Sequence, residues 1–159
     1  MSDSNYVVML RESLEKKLEV LKEIQNANER QKDILMNPFS TPEELKETLD
    51  RKDELMNVID ALDTGFENVY KRVSKSIRDN RELYKDEIIK MQNLITSITD
   101  LSATLQAEEH RNKEFADRKF AKIKERISSV TKNKNAVDSY HKSMGRINTI
   151  DPQFMDSKK

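Results

Sequence analysis

The chain is predicted to be all-α: an antiparallel helical hairpin joined to a long third helix, with a helical segment extending to the C-terminal side. Two observations carry this. Apolar residues recur at three-and-four spacing from Val7 to Val137, with one clear interruption at Asn37-Pro38-Phe39-Ser40-Thr41-Pro42. The 159 residues are also 35% hydrophobic and 36% charged, with only two Gly, three Pro and no Trp. Sheet-rich domains need more turn residues than that. A narrow apolar seam flanked by charge is the profile of coiled coils and slender bundles.

The first helix is expected from about Ser4 to Met36. Its seam is Val7, Leu10, Leu14, Leu18, Leu21 and Ile24, turning polar at Gln25, Asn28 and Gln31 before Ile34 and Leu35. Pro38 drives Asn37 out of the helical region and ends the helix. A restart follows at once. Thr41 is placed to cap, Pro42 suits the first helical position, and Glu44 completes a capping box.

The second helix, 42–78, reads with its seam at Leu45, Leu49, Lys52, Met56, Ile59, Phe66, Tyr70, Val73 and Ile77. Leu55, Leu62 and Val69 widen the stripe enough to touch two neighbours. Helices of this length reach roughly 50 Å each, so the first two match end to end. Gly65 within the run allows either a close helix contact or a slight bend. At Arg78-Asp79-Asn80-Arg81 the seam loses its apolar residues, which predicts a turn or sharp kink near Asp79-Asn80.

The third helix is expected over 82–144, with Tyr84, Ile88, Met91, Ile95, Ile98, Leu101 and Leu105 completing a three-helix bundle. The pattern continues through Phe115, Phe120, Ile123, Ile127, Val130 and Val137, past the length the first two helices cover. Gly145 suits a C-terminal stop. Residues 1–145 are read as one helical domain, and the tail 146–159 as flexible. Most of the seven Met are expected to fill the core.

Charge is balanced overall, with 29 basic and 29 acidic side chains, but unevenly placed. Residues 1–70 hold 9 basic and 16 acidic side chains, and residues 71–159 hold 20 and 13. Acidic and basic helices lying side by side explain this, as does a basic surface for an acidic partner; the first is favoured. From Arg111 to Lys134 there are 9 basic and 3 acidic residues. That stretch has no nucleic-acid recognition motif and lacks the bulky apolar face of a membrane-surface helix. Packing, within the chain or against a partner helix, is the reading it supports.

No chemistry is signalled. The chain has no Cys, so disulfides, thiolate nucleophiles and Cys-based metal sites are excluded. Asp138-x-x-His141 is half of a carboxylate-bundle motif without its second copy, and His110 follows Glu108 and Glu109 in the wrong spacing. No Gly-rich phosphate loop or nucleophile turn is present. Neither an enzyme activity, a cofactor nor a metal is expected. Val7-Val8-Met9-Leu10 is the longest apolar run, far short of the roughly 20 residues of a membrane span. No signal peptide is visible, and a cytoplasmic location is expected.

The pattern resembles the FlgN-type flagellar export chaperones of bacteria. The likeness lies in Leu14, Leu18 and Leu21 of the first helix, then Leu45, Leu49, Arg51-Lys52-x-x-Leu55, Ile59 and Leu62. It continues in Tyr84, Ile88, Met91 and Leu94 and on to Asn112. The ending Asp151-Pro152-Gln153-Phe154-Met155-Asp156 with Lys158-Lys159 resembles that of clostridial members.

The resemblance implies a cytoplasmic chaperone for hook–filament junction proteins. Such a chaperone holds a client's C-terminal amphipathic helical segment, stops it self-associating and delivers it to the type III flagellar export apparatus. A client helix would lay its apolar face in a groove. The residues expected to form that groove are Leu105, Asn112, Phe115, Phe120, Ile123 and Ile127. A monomer or small homo-oligomer is expected, with no nucleic acid bound and no membrane insertion. Two alternatives share the design: a FliT-like filament-cap chaperone and a self-assembling structural coiled coil.

Overall fold

The computed structural model describes residues 2–145. The tail 146–159, expected to be flexible, lies outside the described residues. Three helices follow in order: α1 (Asp3–Met36), α2 (Pro42–Asp79) and α3 (Lys85–Gly145). The architecture is all-α, as the spacing predicts.

Each boundary has a local cause. Ser2 caps α1 by accepting from Asn5 N–H at 3.4 Å, so the helix starts slightly before Ser4. At its other end Asn37 leaves the helical region at φ −88° and ψ 116°. The Asn37 side chain then accepts from Phe39 N–H at 2.9 Å, and Ser40 Oγ donates back to the Ile34 carbonyl at 2.6 Å. Thr41 and Glu44 form the reciprocal capping box, both bonds being 3.3 Å. Chain reversal here is therefore written wholly in short-range side-chain chemistry.

Between α2 and α3 the chain makes a turn. Asn80 closes α2 twice over, with N–H and Nδ2 both donating to the Ser76 carbonyl at 3.0 and 2.9 Å. Tyr84 N–H then reaches the Asn80 carbonyl at 3.2 Å, and Tyr84 itself is buried. The turn takes up residues 80–84, so α3 starts at Lys85 rather than at 82.

The chain divides into two compact units, Met1–Phe115 and Ala116–Lys159. In the first, α1, α2 and the opening half of α3 share one core. The α1 seam is a regular heptad series of Val7, Leu10, Leu14, Lys17, Leu21, Ile24, Asn28, Gln31 and Leu35, its steps alternating three and four. Asn28 and Gln31 thus belong to the interior, not to a polar surface.

On α2 the core-facing line runs through Thr48, Lys52, Leu55, Ile59, Leu62, Phe66, Val69 and Val73, of which Thr48, Leu55, Ile59 and Val73 are buried and the others partly buried. This corrects the expected seam. Leu49, Met56 and Tyr70 stand on a neighbouring face and are each about half exposed. On α3, Leu94 packs against the core while Ile95 is exposed. Met91 is buried as expected of a core filler, but Met9, Met36 and Met56 are exposed.

Ion pairs run along the outside of the first unit. Lys17 Nζ meets Asp63 at 2.7 Å, Arg30 meets Glu47 at 3.2 Å, and Arg11 binds both Glu15 and Glu87. The bonds from Glu15 and then Glu87 raise the Arg11 pKa further. Such exposed pairs add little stability individually, so the apolar seam dominates.

The heptad assignment predicts a contrast between neighbouring faces. Leu10→Ala should lower unfolding free energy in urea by about 2–5 kcal/mol, whereas Leu49→Ala should change it by under about 0.5 kcal/mol. Gly65 has open space where a Cβ would sit, and it lies in a helix interior. Gly65→Ala should therefore stabilise the fold by roughly 1 kcal/mol; destabilisation would show a close contact at this glycine after all.

Candidate functional site

Two groups of side chains stand out, one inside the first unit and one on the surface of the second. The inner group is a polar layer in the seam. Asn28, Gln31, Thr48, Glu108 and Asn112 are all buried there. Each occupies a position where the heptad count calls for an apolar residue.

Asn112 Nδ2 donates to the Asn28 carbonyl at 2.9 Å and to Gln31 Oε1 at 3.0 Å. Asn28 Nδ2 donates to Glu108 Oε1 at 3.1 Å, and Gln25 Nε2 reaches Glu108 Oε2 at 3.3 Å. Gln31 Nε2 donates to Thr48 Oγ1 at 3.4 Å, and Thr48 Oγ1 itself donates to the Leu45 carbonyl at 2.7 Å. Lys52 Nζ reaches Gln31 Oε1 at 3.4 Å and pairs with Glu109. All three helices of the unit are tied by this one layer.

At its edge Arg111 meets Glu29 at 3.4 Å, and Lys32 lies 3.2 Å from the same carboxylate. The hydrogen bond from Lys32, with the charge of Arg111 beside it, holds the Glu29 carboxyl below its ordinary pKa.

This layer decides where the expected site residues fall. Leu105 and Asn112 are interior residues of the bundle, 7% and 2% exposed, and neither is available to a partner in the folded unit. Asn112 was expected where the seam runs out of intrachain partners. Its amide nitrogen has two on α1, and its Oδ1 accepts from Arg111 Nε at 3.2 Å. Phe115, at the end of the first unit, is half-buried. The six expected residues therefore do not make one groove.

The remaining three do lie together on the second unit. Phe120, Ile123 and Ile127 are 53%, 41% and 62% exposed, and Val130 continues them at 65%. Their steps of three and four put all four on one helical face, a regular heptad stripe. Every residue from Phe120 to Asn133 is exposed, so none of the described residues covers the basic stretch over that span. Lys124 and Arg126 flank the stripe, and neither has an ion-pair partner among the described residues. Val130 was the residue missing from the expected set, and the three-and-four count alone includes it.

A shallow cleft of about 260 Å³ lies between α1 and α2, lined by Glu23, Asn26, Ala27, Arg30, Thr48 and Arg51. Its two arginines are already paired, Arg30 with Glu47 and Arg51 with Glu23 and Glu54. Among the described residues no group of three or more His, Asp or Glu side chains is placed to hold a metal. Nor is any described helix long and apolar enough to cross a membrane.

A helical scaffold with a bare amphipathic stripe is the layout of a protein-binding module. Comparison with known families agrees: the family model for FlgN protein matches residues 8–145. The chain belongs to the FlgN family and is a flagellar export chaperone. No curated protein and no solved structure matches it.

The polar layer predicts its own cost of disruption. Asn112→Ala strips a buried donor from the Asn28 carbonyl and from Gln31. Unfolding free energy in urea should fall by about 2 kcal/mol. A loss under about 0.5 kcal/mol would mean that the layer does not hold α3 to α1.

Proposed function

We propose that this chaperone holds the C-terminal amphipathic helical segment of hook–filament junction proteins in the cytoplasm. It keeps the segment from self-associating and presents it to the flagellar type III export apparatus. The observation carrying this reading is the uncovered stripe of Phe120, Ile123, Ile127 and Val130. A run of large apolar side chains at heptad spacing, left bare with charge on either side, marks a helix-pairing surface.

The chemistry suits such a client. An amphipathic segment that assembles into a filament must hide its own apolar face until export, and a matching heptad stripe offers cover of the same period. Lys124 and Arg126 favour a client helix with carboxylates beside its apolar positions. Leu105 and Asn112 play no direct part, because both are committed to the interior.

Calorimetric titration with a junction-protein C-terminal peptide tests the assignment. Phe120→Ser combined with Ile123→Ser should weaken binding by at least about a hundredfold, each lost anchor being worth roughly 1.5–3 kcal/mol. Unchanged affinity, with the helical circular dichroism intact, would sink it. A filament-cap peptide that binds as tightly as the junction peptide would reassign the client.

A further inference from the structure

The bare stripe is not electrically uniform along its length. Its steps fix the heptad phase: Phe120 and Ile127 take the a position, Ile123 and Val130 the d position. The positions that border such a seam are e and g. In the first heptad, 120–126, these are Lys124 and Arg126, both exposed and without an ion-pair partner among the described residues. In the second, 127–133, they are Thr131 and Asn133, both uncharged.

The contrast extends to the heptads as wholes. Residues 120–126 hold four charged side chains, three of them basic, whereas residues 127–133 hold only Lys132. Lys132 falls at f, on the side of the helix away from the seam. Thr131 turns its hydroxyl back to the Ile127 carbonyl at 2.9 Å. One end of the stripe therefore offers cations on both sides of the seam, and the other offers none. A second copy of the stripe would set Lys124 and Arg126 against like charges if parallel, or against Thr131 and Asn133 if antiparallel. Neither alignment pairs them, so the occupant that fits is a different helix of opposite sign.

We propose that Lys124 and Arg126 set the direction in which a client helix lies on the stripe. The client's carboxylates, gathered beside one heptad of its apolar face, rest over 120–126. Its uncharged flank rests over 127–133. Lying the other way, the helix would keep its apolar contacts but put carboxylates against Thr131 and Asn133 and leave both cations unpaired. The client class is thus an amphipathic helix acidic at one end of its seam, not an evenly acidic one. The preference for such a helix rests on the stripe's own side chains; its extension to junction proteins rests on the function proposed above.

The chain has no Cys, so cross-linking from a single introduced Cys reads direction. Cys replaces Ala116 in one chain and Lys134 in another, the next seam positions beyond either end of the stripe. The probe is a two-heptad amphipathic helical peptide with Glu flanking one heptad, Gln flanking the other, and Cys at the Glu end. Disulfide formation should favour Ala116→Cys over Lys134→Cys by about tenfold, two exposed ion pairs being gained in one direction only. Lys124→Ser and Arg126→Ser combined with Thr131→Lys and Asn133→Lys keep the net charge and should reverse that preference. Equal cross-linking at the two ends, a preference unmoved by the exchange, or no binding of the probe would each overturn the proposal. A junction-protein peptide that fails to bind, while the probe keeps its direction, would overturn the client assignment instead.

Discussion

Register is the problem a heptad bundle must solve, and here it is solved by polar atoms. A seam of Val, Leu and Ile at repeating three-and-four steps tolerates a slip of one heptad, because one aliphatic layer replaces another at small cost. The layer of Asn28, Gln31, Thr48, Lys52, Glu108 and Asn112 does not tolerate it. In any shifted alignment these groups face aliphatic neighbours and lose partners while remaining buried. The native alignment leaves one orphan among the described residues of this layer, Asn28 Oδ1. Leucine at these positions would bind α3 more strongly and define its position less well.

The consequence runs along α3. Once Asn112 is tied to Asn28 and Gln31, the lengths of α1 and α2 determine how much of α3 the core consumes, and the first unit ends at Phe115. The seam residues after that point keep their apolar character without a buried role. Phe120, Ile123, Ile127 and Val130 are exposed because the register has already assigned the α1 and α2 seams to earlier residues of α3.

Much of this was legible in the chain. The helix count, the hairpin and its capping box follow from Pro38, Thr41, Pro42 and Glu44, all acting within one turn of chain. The turn at Asn80 was legible from a gap in the seam. The α2 stripe is wider in the sequence than in the core: Leu49, Met56 and Tyr70 repeat with the same period as Leu55, Leu62 and Val69, and only the latter three pack inward. Periodicity gives a stripe's spacing but not which of two adjacent stripes is buried. The polar layer was missed for a related reason: a buried Asn resembles a surface Asn until its partners are known. Only the unbroken count from Ile24 through Asn28 and Gln31 to Leu35 hinted at it. Asn112 belongs to that layer, and Leu105 stays in the bundle seam where its spacing puts it, so neither lies on an exposed surface.

The first unit is a pinned scaffold, and in the proposed function the client occupies the bare stripe of the second. Amide hydrogen exchange with and without saturating junction-protein C-terminal peptide addresses both halves together. Exchange should slow over residues 116–135, while the amides around Asn28, Thr48 and Asn112 keep the protection they have in the free protein. New protection confined to α1 and α2, with residues 116–135 exchanging as before, would contradict the account.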